Sequence, residues 1–478
     1  MPGLGLFGTL NLGARSLQTQ QMGVEVAGHN LSNVNNPNYS RQRVEIETSL
    51  TIPTPIGTQG TGADVVAIRQ LRDQILDDQI GSELSVTGSL ASQQKALQYA
   101  QANLGQQIDR QPSGADAAAS ATSLAGQFGL AEGLTTFFNS FQSVAANPRD
   151  ATERTVLLEN AKSLTARFKQ TDQRLQKLAT SLNSSIDSDL SAANRLLTDI
   201  AKLNDEIADA ENRTNGTAND LRDSRQGKIE DLAKLVKVEV TRDANDVLSV
   251  AVGSTTLVVG RTVLDSLQSY DAGGGQILVR STGGATPVAL TGGSIEGTIS
   301  ARDGAIATLR SDIRSIATLV ISEVNSVHTA GYSLTGTTGA NFFTGTDASD
   351  IALNATLDGN PQLVQASGVS GAQGNNAVAL RLAQLADKKN VSLNGQTFSQ
   401  SFNRVVSALG QSLANVNGAA ETQGVVQNML TSQRDSLMGV SIDEEMTDLV
   451  KYQKAYQASA RIITTIDEML DTVLSLKR

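Results

Sequence analysis

The sequence predicts a mainly α-helical protein with inserted β structure. Helices from both chain ends are expected to build a long coiled-coil-like bundle, with one or two small β domains facing outward. Three observations support this fold class. Near both termini, apolar or small residues recur at alternating spacings of four and three, the pattern of a coiled-coil seam. A helical apolar pattern extends over roughly 60 residues in the middle. After Leu235 the period becomes two, as in strands.

The N-terminal seam predicts a helix that needs partners to cover it. Two of its positions, Gly13 and Gln20, are weak, so the isolated helix is expected to be marginal. The helix is expected to end before Pro37, because a proline disfavours helical geometry at the preceding Asn36. In residues 41–68 apolar and polar residues alternate, and this segment is expected to form irregular strand and loop. The seam residues expected to form an assembly interface are Leu6, Leu10, Leu17, Val24, Leu31 and Val34.

Apolar periodicity divides the middle of the chain. A helical pattern resumes near Ile68 and ends before Pro112, a second helix covers about residues 117–146, and Asp150 with Glu153 predicts a capping box for the long helix. The predicted domains are 1–68 (N-terminal coiled-coil helix and extended segment), 69–236 (long helical bundle), 237–298 (inserted β domain), 299–330 (helix returning to the bundle, from about Ser300 to His328), 331–398 (Gly/Thr/Asn-rich loops or a small β element), 399–440 (bundle helix) and 441–478 (C-terminal coiled-coil helix).

The C-terminal segment gives the clearest helical pattern. Ser441 followed by Glu444 predicts a capping box at its start. The apolar seam that follows predicts one helix of about 36 residues, or roughly 54 Å. The seam residues expected to contribute to the assembly interface are Ile442, Met446, Leu449, Tyr456, Ile463 and Leu470.

Composition limits the shape of the core and the classes of partner. Aromatic residues make up 3% of the 478 residues and tryptophan is absent, so we expect a thin aliphatic core in an elongated molecule. The net charge is −10 without a basic run, which argues against nucleic acid as a partner. No run approaches the roughly 18 apolar residues of a membrane span, and the N-terminus lacks a signal-peptide pattern. We therefore expect neither membrane insertion nor a cleaved signal peptide.

Both termini also carry recognisable motifs. The run HNLSNVNNPNYSRQR resembles the N-terminal signature of the bacterial flagellar axial proteins, which are the rod, hook and hook-associated subunits. The run SIDEEMTDLVKYQKAYQASARIITTIDEMLDTVL is similar to the C-terminal signature of the same family. FQSVAANPRDATERTVLLENAKSLTARF and EVNSVHTAGYSLTGTTGANFF resemble its hook-associated members. Where the family usually has Thr-Pro-Gly-Tyr, this chain has Asn in place of Thr and Gly, and Asn38 is expected to keep the turn in a left-handed conformation. The turn residues of the motif are Asn33, Asn36, Pro37, Asn38 and Tyr39.

The resemblance implies a structural subunit in a ring between hook and filament, exported unfolded through the flagellar type III channel to the outside of the cell. Its implied partners are other copies of the chain, the hook protein, a second junction protein leading to flagellin, an export chaperone and the type III apparatus. Cysteine is absent, so disulfides cannot lock the chain during passage through a narrow channel. The terminal helices would order on assembly, by packing against neighbouring subunits.

The motifs that could carry chemistry are weak. Gly3, Gly5 and Gly8 spell GxGxxG, but the dinucleotide fingerprint needs a preceding strand, and here the pattern leads into the coiled-coil seam. His29 and His328 are the only histidines, and neither has the spacing of a metal site. Structural roles are therefore expected for both histidines.

Two clusters of acidic residues can be explained without a metal site or a catalytic role. Carboxylates at 443–445 lie in the first helical turn, where the helix dipole favours them. Asp347, Asp350 and Asp358 suggest a Ca²⁺ loop, but EF-hand spacing and its closing glutamate are missing. We expect no enzymatic activity, no cofactor and no metal site.

Other functions stay open on the sequence alone. Another axial subunit, of the distal rod, hook or filament type, would share the terminal helices. A peptidoglycan hydrolase would need paired carboxylates that folding brings together. A surface adhesin would present residues 237–292.

Overall fold

The structure is a computed structural model that describes residues 5–54, 57–104, 129–214, 216–243 and 247–475. Helices predominate in this part of the chain. They are α1 (Gly5–Ser32), α2 (Gln74–Asn103), α3 (Leu130–Ala146), α4 (Ala151–Thr214), α5 (Asn219–Leu235), α6 (Gly293–Ala301), α7 (Ala307–His328), α8 (Ala377–Gln384), α9 (Phe398–Met438) and α10 (Ile442–Ser475). The strands are β1 (Gln42–Thr48), β2 (Thr51–Thr54), β3 (Gly57–Gly60), β4 (Ala63–Gln70), β5 (Glu239–Arg242), β6 (Leu248–Val252), β7 (Thr255–Val259), β8 (Thr262–Val263), β9 (Leu267–Asp271), β10 (Ile277–Ser281), β11 (Phe343–Thr344) and β12 (Ala352–Leu353).

The long helix α4 organises the body of the molecule. Its 64 residues confirm the long helix expected from the periodicity, and Asp150 Oδ1 accepts the N–H of Thr152 at 2.7 Å at its start. Its buried stripe packs against α3 and, further along, against α5. The aromatic side of α3 is core, as predicted: Phe137 lies 5.4 Å from Phe343 between ring centroids, and Phe138 stacks on Phe398 at 5.7 Å. The fold class is therefore a mainly α bundle with inserted β structure, as the sequence predicted.

The period-two segments after Leu235 form strands that pack on α4. An antiparallel four-stranded sheet has the order β5-β6-β7-β8, and β9 and β10 form a separate antiparallel pair. Leu248, Val250 and Leu257 share a core with Ile200 of α4. Asn204 of α4 is buried there and donates to the carbonyl oxygen of Gly260 at 2.6 Å. This polar anchor fixes the sheet on the helix.

One boundary prediction is wrong at the N-terminal end of the bundle. Ile68, expected to start a helix, lies in β4 and pairs with Val44 of β1 in an antiparallel hairpin. Tertiary pairing overrides the local periodicity here. Helix α2 begins only at Gln74, where Asp73 Oδ1 accepts the N–H groups of Ile75 (2.9 Å) and Leu76 (3.3 Å). The predicted helix end near Pro112, the start of the next helix at 117 and Gly3 lie outside the described residues.

The returning helix begins earlier than predicted and is interrupted. Instead of one helix from about Ser300, the chain forms α6, a π-helical turn at Arg302–Ile306, and α7. In 331–398 the strands β11 and β12 have only two residues each, and the short α8 follows them. None of the helices in the described ranges has a stretch long and apolar enough to cross a membrane.

Helices α2 and α6 cross with their backbones in contact. A Cβ atom built on Gly297 of α6 would lie 2.1 Å from the carbonyl oxygen of Ser89 in α2. Helix α2 approaches α5 just as closely, because a Cβ atom on Gly88 would lie 2.1 Å from the carbonyl oxygen of Lys234. Real Cβ atoms do not come this close to other heavy atoms. These two glycines are therefore required by close backbone approach.

His328 joins the loop region 331–375 to the bundle. Its side chain, at the end of α7, is 0% exposed. Nδ1 lies 2.8 Å from the carbonyl oxygen of Ala340, to which it donates, and Nε2 accepts the N–H of Gln365 at 3.0 Å. This pairing requires a neutral ring. Burial, and to a smaller extent the Arg154 cation, lowers the pKa of His328 from 6.5 to about 4.

Acid is therefore expected to weaken the two hydrogen bonds by which His328 holds the loop region. Because the folded pKa lies below the unfolded one, the contribution of His328 is fully present above about pH 6.5 and is lost as the pH falls towards about 4. Between about pH 7 and about pH 5 the local opening free energy should fall by about 2 kcal/mol. Hydrogen exchange at the Gln365 amide measures this. His328→Gln, which has no titrating group, should show a smaller pH dependence, and equal slopes would contradict the prediction.

Candidate functional site: the paired terminal helices

Helices α1 and α10 pack side by side as an antiparallel pair. The facing residues are Gly13 with Ile463, Ser16 with Ser459, Gly23 with Tyr452 and Asn30 with Glu445. Residue numbers rise along one helix as they fall along the other, so the two helices run in opposite directions. Contact is close, because a Cβ atom on Gly23 would lie 2.6 Å from the Tyr452 ring.

The inner face of this pair is built from small and polar residues. On α1 it includes Gly13, Ser16 and Gly23, and the hydroxyl oxygens of Ser16 and Ser459 are 2.7 Å apart. Most of the large apolar residues of the predicted seams lie elsewhere; Ile463 is the exception, since it contacts Gly13. The seam residues left half-buried in the isolated chain are Leu6, Leu10, Leu17, Val24, Leu31, Val34, Leu449, Ile463 and Leu470. The exposed ones are Ile442, Met446 and Tyr456.

The apolar seam residues of both helices point to one side of the pair. Leu17 and Val24 each follow an inner-face residue of α1 by one position, which is about 100° around the helix. Met446 follows the inner-face residue Glu445 of α10 in the same way. In an antiparallel pair, rotation in the same sense along each chain leads to the same side. We call this surface the apolar face; it comprises Leu10, Leu17, Val24, Leu31, Ile442, Met446, Leu449 and Tyr456.

The other side of α1 is covered by the β1–β4 hairpin. Thr19 Oγ1 donates to the carbonyl oxygen of Ala63 at 3.0 Å, and Arg15 pairs with Asp64 at 3.0 Å. The hairpin and α10 thus occupy two sides of α1. Within the described residues, the apolar face is not covered in this way.

Arg41 fastens the start of α10 to the chain that leaves α1. Its Nε donates to Oε1 of Glu445 at 2.6 Å, a second nitrogen bonds Glu444, and its backbone N–H donates to the carbonyl oxygen of Met438 at 2.9 Å. The Arg41 and Glu445 side chains are 7% and 3% exposed. Glu444, predicted as a capping residue, is thus used in an ion pair.

Asn30 and Tyr39 complete a buried hydrogen-bond network at this point. Asn30 Nδ2 donates to Glu445 Oε2 at 3.0 Å, and Asn30 Oδ1 accepts the Tyr39 hydroxyl at 2.7 Å and the Gln42 N–H at 2.9 Å. Burial, and then the carboxylates around it, raises the pKa of Tyr39. His29 contacts the same hydroxyl through Nδ1 at 3.0 Å, which gives it the structural role expected from the sequence.

The motif turn docks on α5. A Cβ atom on Gly227 would lie 2.8 Å from Asn38 Nδ2, and the Ser40 N–H donates to Asp223 Oδ2 at 3.0 Å. The expectation of a left-handed Asn38 is wrong, because the positive-φ non-glycine residue in the described part of the chain is Asn394. Instead, Asn36 Oδ1 accepts the Asn38 N–H at 3.2 Å, and this side-chain bond closes the turn. Asn33 closes the preceding turn: its carbonyl oxygen accepts the Asn36 N–H.

The acidic loop residues have protein partners. Asp350 Oδ1 accepts the N–H groups of Thr346 and Asp347 at 2.7 and 2.9 Å, and Asp358 pairs with Lys162 at 2.6 Å. No group of three or more histidine or acidic residues in the described ranges has the arrangement of a metal site.

The geometry defines a class of protein. Long helices from the two ends of the chain pair with each other and leave an apolar face uncovered, while the motif turn ties this pair to a helical body. This class is that of the structural proteins of the bacterial flagellum. Residues 121–343 match the family described as flagellar hook-associated protein FlgK helical domain. Residues 428–476 match the family described as flagellar basal body rod FlgEFG protein C-terminal. Both matches point to the flagellar axial proteins, and the first points to flagellar hook-associated protein 1, which this chain resembles.

Individual relatives support this assignment along almost the whole chain. Flagellar hook-associated protein 1 of Bacillus subtilis (strain 168) is 25% identical, with 98% of this chain and 97% of that protein aligned. The protein of the same name from Salmonella typhimurium is 22% identical over 98% and 99%. The structure of the flagellar hook junction protein FlgK from Burkholderia pseudomallei shares the fold with a TM-score of 0.60 and 16% identity, covering 75% of this chain and 100% of that one.

Proposed function

We propose that this chain is a structural subunit of the junction between the flagellar hook and filament, and that it assembles into a ring through the apolar face. The apolar face is the observation that carries the proposal. Exposed large residues such as Met446 and Tyr456 lie on the same side of the helix pair as half-buried ones such as Leu17. A contiguous exposed apolar surface of this kind marks a protein contact. Neighbouring copies of the same helix pair would bury it.

The similarity to flagellar hook-associated protein 1 supports the partners and the location that go with this role. The proposed partners are the hook protein on one side, a second junction protein leading to flagellin on the other, and an export chaperone with the type III apparatus before assembly. The proposed location is the outside of the cell, at the hook–filament junction. The proposed role is mechanical and involves no enzymatic reaction.

A deletion strain tests the proposed role directly. Electron microscopy should show bare hooks of normal length, with flagellin released into the medium. Missing hooks would place the protein lower, as a rod or hook subunit. Intact filaments would contradict a junction role altogether.

Charges placed on the apolar face are expected to block assembly. The double variant Leu17→Asp/Met446→Asp would bury two unpaired carboxylates in each contact, at a cost of several kcal/mol. Swimming in soft agar should fall roughly tenfold or more, with filaments lost from the hooks. The matched control is Gln18→Asp/Thr447→Asp, one residue further around each helix and exposed. Equal loss of swimming in both variants would contradict a specific role of the face.

A further inference from the structure

A second apolar strip runs along α10, on the side of the helix pair opposite to the apolar face. Ile462 follows the inner-face residue Ser459 by three positions, which is a turn of about 300° around the helix. This equals about 60° in the sense opposite to the single position that leads to the apolar face. Met469 lies seven positions further on and Ala455 seven positions before, so both share the strip. We call these three residues the hairpin-side flank.

The β1–β4 hairpin lies on the same side of the helix pair as this flank. Thr19, whose hydroxyl donates to the carbonyl oxygen of Ala63 in the hairpin at 3.0 Å, follows the inner-face residue Ser16 by three positions. Thr19 is therefore turned in the same sense as Ile462. The hairpin covers α1 but leaves the flank open, since Ile462 is 46% exposed and Met469 is 52% exposed. The helix pair of a single chain thus has apolar surface on two sides.

A ring needs two different contact surfaces on each subunit. If the apolar faces of two copies packed against each other, the contact would be two-fold and would close at a dimer. A ring of more than two copies is built from head-to-tail contacts, in which one surface of each copy meets a different surface of the next. The proposed ring therefore requires a second surface that complements the apolar face.

The hairpin-side flank matches the apolar face in spacing. Along α1 the large residues of the apolar face recur at every seventh position, as Leu10, Leu17, Val24 and Leu31. The residues of the flank have the same period on α10. Side chains of two helices with seams of equal period can interlock along the length of the contact.

Both surfaces also lie in segments that are poor in charge. In residues 9–24 the single charged side chain is Arg15, which pairs with Asp64 of the hairpin. In residues 455–466 the single charged side chain is Arg461. Charged residues are depleted in the core of protein interfaces, so both segments have the composition of a contact surface.

We propose that the hairpin-side flank of one copy binds the apolar face of a second copy, so that the helix pairs pack head to tail around the ring. This inference rests on the proposed function. The contact buries Ile462 and Met469 of one copy against residues such as Leu17 of the next. It accounts for the apolar residues that a single chain leaves exposed on both sides of its helix pair.

Cysteine cross-linking in flagella tests the contact directly, because the chain has no cysteine of its own. Ile462→Cys is combined in turn with Leu10→Cys, Leu17→Cys, Val24→Cys and Leu31→Cys, and each double variant replaces the parent in the deletion strain. After treatment with a short bismaleimide, at least one of them should give a ladder of dimers, trimers and larger multimers. Each single variant should stay monomeric, since a head-to-tail contact keeps identical positions apart.

The other possible occupants of the flank give different products. A dimer from Leu17→Cys alone would show that two apolar faces meet, and would overturn the inference. No multimer in any double variant would mean that another protein covers the flank, which would overturn it as well. In the matched control, Gln457→Cys replaces Ile462→Cys. Gln457 is exposed and lies two positions after Ala455, about 200° around α10, so this control should give no ladder.

Charge placed on the flank gives an independent measurement. Ile462→Asp/Met469→Asp should leave the urea unfolding of the purified chain unchanged, because both side chains are exposed in the single chain. Swimming in soft agar should nevertheless fall roughly tenfold or more, since assembly would bury two unpaired carboxylates. The matched control Gln457→Asp/Thr464→Asp makes the same change of charge at exposed positions turned away from the flank, and it should swim normally. Normal swimming of Ile462→Asp/Met469→Asp would overturn the inference.

The deletion strain separates the failure of this inference from the failure of the proposed function. Bare hooks together with a ladder would support both. Bare hooks without a ladder would sink only the head-to-tail contact, whereas intact filaments would sink the proposed function itself.

Discussion

Replacing Arg41 with alanine is expected to lower the free energy of unfolding of the terminal helix pair by about 3 to 5 kcal/mol. The reason is burial, because Glu445 is 3% exposed and would lose its main cationic partner. An unpaired carboxylate in that position must either stay charged at high cost or take up a proton. Limited proteolysis of the purified full chain should then cleave α1 and α10 faster, while the bundle around α4 stays resistant.

Arg43 provides the matched control for this change. It lies two residues further along the chain, in β1, and is exposed. Arg43→Ala should change the stability by less than about 0.5 kcal/mol. If the Arg41 variant resists protease as well as the Arg43 variant does, the Arg41–Glu445 pair is not what fastens the start of α10 to the chain that leaves α1.

A single methyl group at Gly297 is expected to have a comparably large effect. Gly297→Ala would place a carbon 2.1 Å from the Ser89 carbonyl oxygen, so α2 and α6 must move apart. We expect a loss of about 3 kcal/mol or more, since the three contact atoms all belong to the Ser89 backbone and cannot move aside as a flexible side-chain end could. Urea unfolding followed by circular dichroism measures the shift.

The same substitution elsewhere on α2, away from the crossing, should behave differently. A Cβ atom on Gly81 of α2 meets nothing within 4 Å. Gly81→Ala should therefore be neutral or stabilise the chain by up to about 1 kcal/mol, through helix propensity alone. Similar losses for Gly81→Ala and Gly297→Ala would show that backbone contact is not the cause.

The sequence alone predicted the helical elements well, because long amphipathic helices leave a strong periodic signal. The 64-residue α4 and the C-terminal α10 are examples. Ile68 shows the limit, because its strand is set by pairing with Val44, and that pairing is not visible in a local window.

The packing of the terminal helix pair was predicted only in part. Large apolar residues indicated the apolar face, but not the inner face of the helix pair, where glycine and serine permit close contact. The regular spacing of seven between Glu445, Tyr452 and Ser459 was a usable signal, since a heptad can be polar. The Arg41–Glu445 bond joins residues 404 positions apart, and no single-sequence pattern predicts such a partner.

The pairing of α1 with α10 also determines when the first helix can pack during folding. Asn30 and Glu445 are 415 positions apart, so α1 gains its partner only when nearly the whole chain is available. Until then its glycine-lined inner face has nothing to pack against, and a helix with such weak positions is marginal by itself. A product that stops short of α10 would retain a bundle yet present an unpaired first helix. The helix pair can therefore form only in a chain that includes α10.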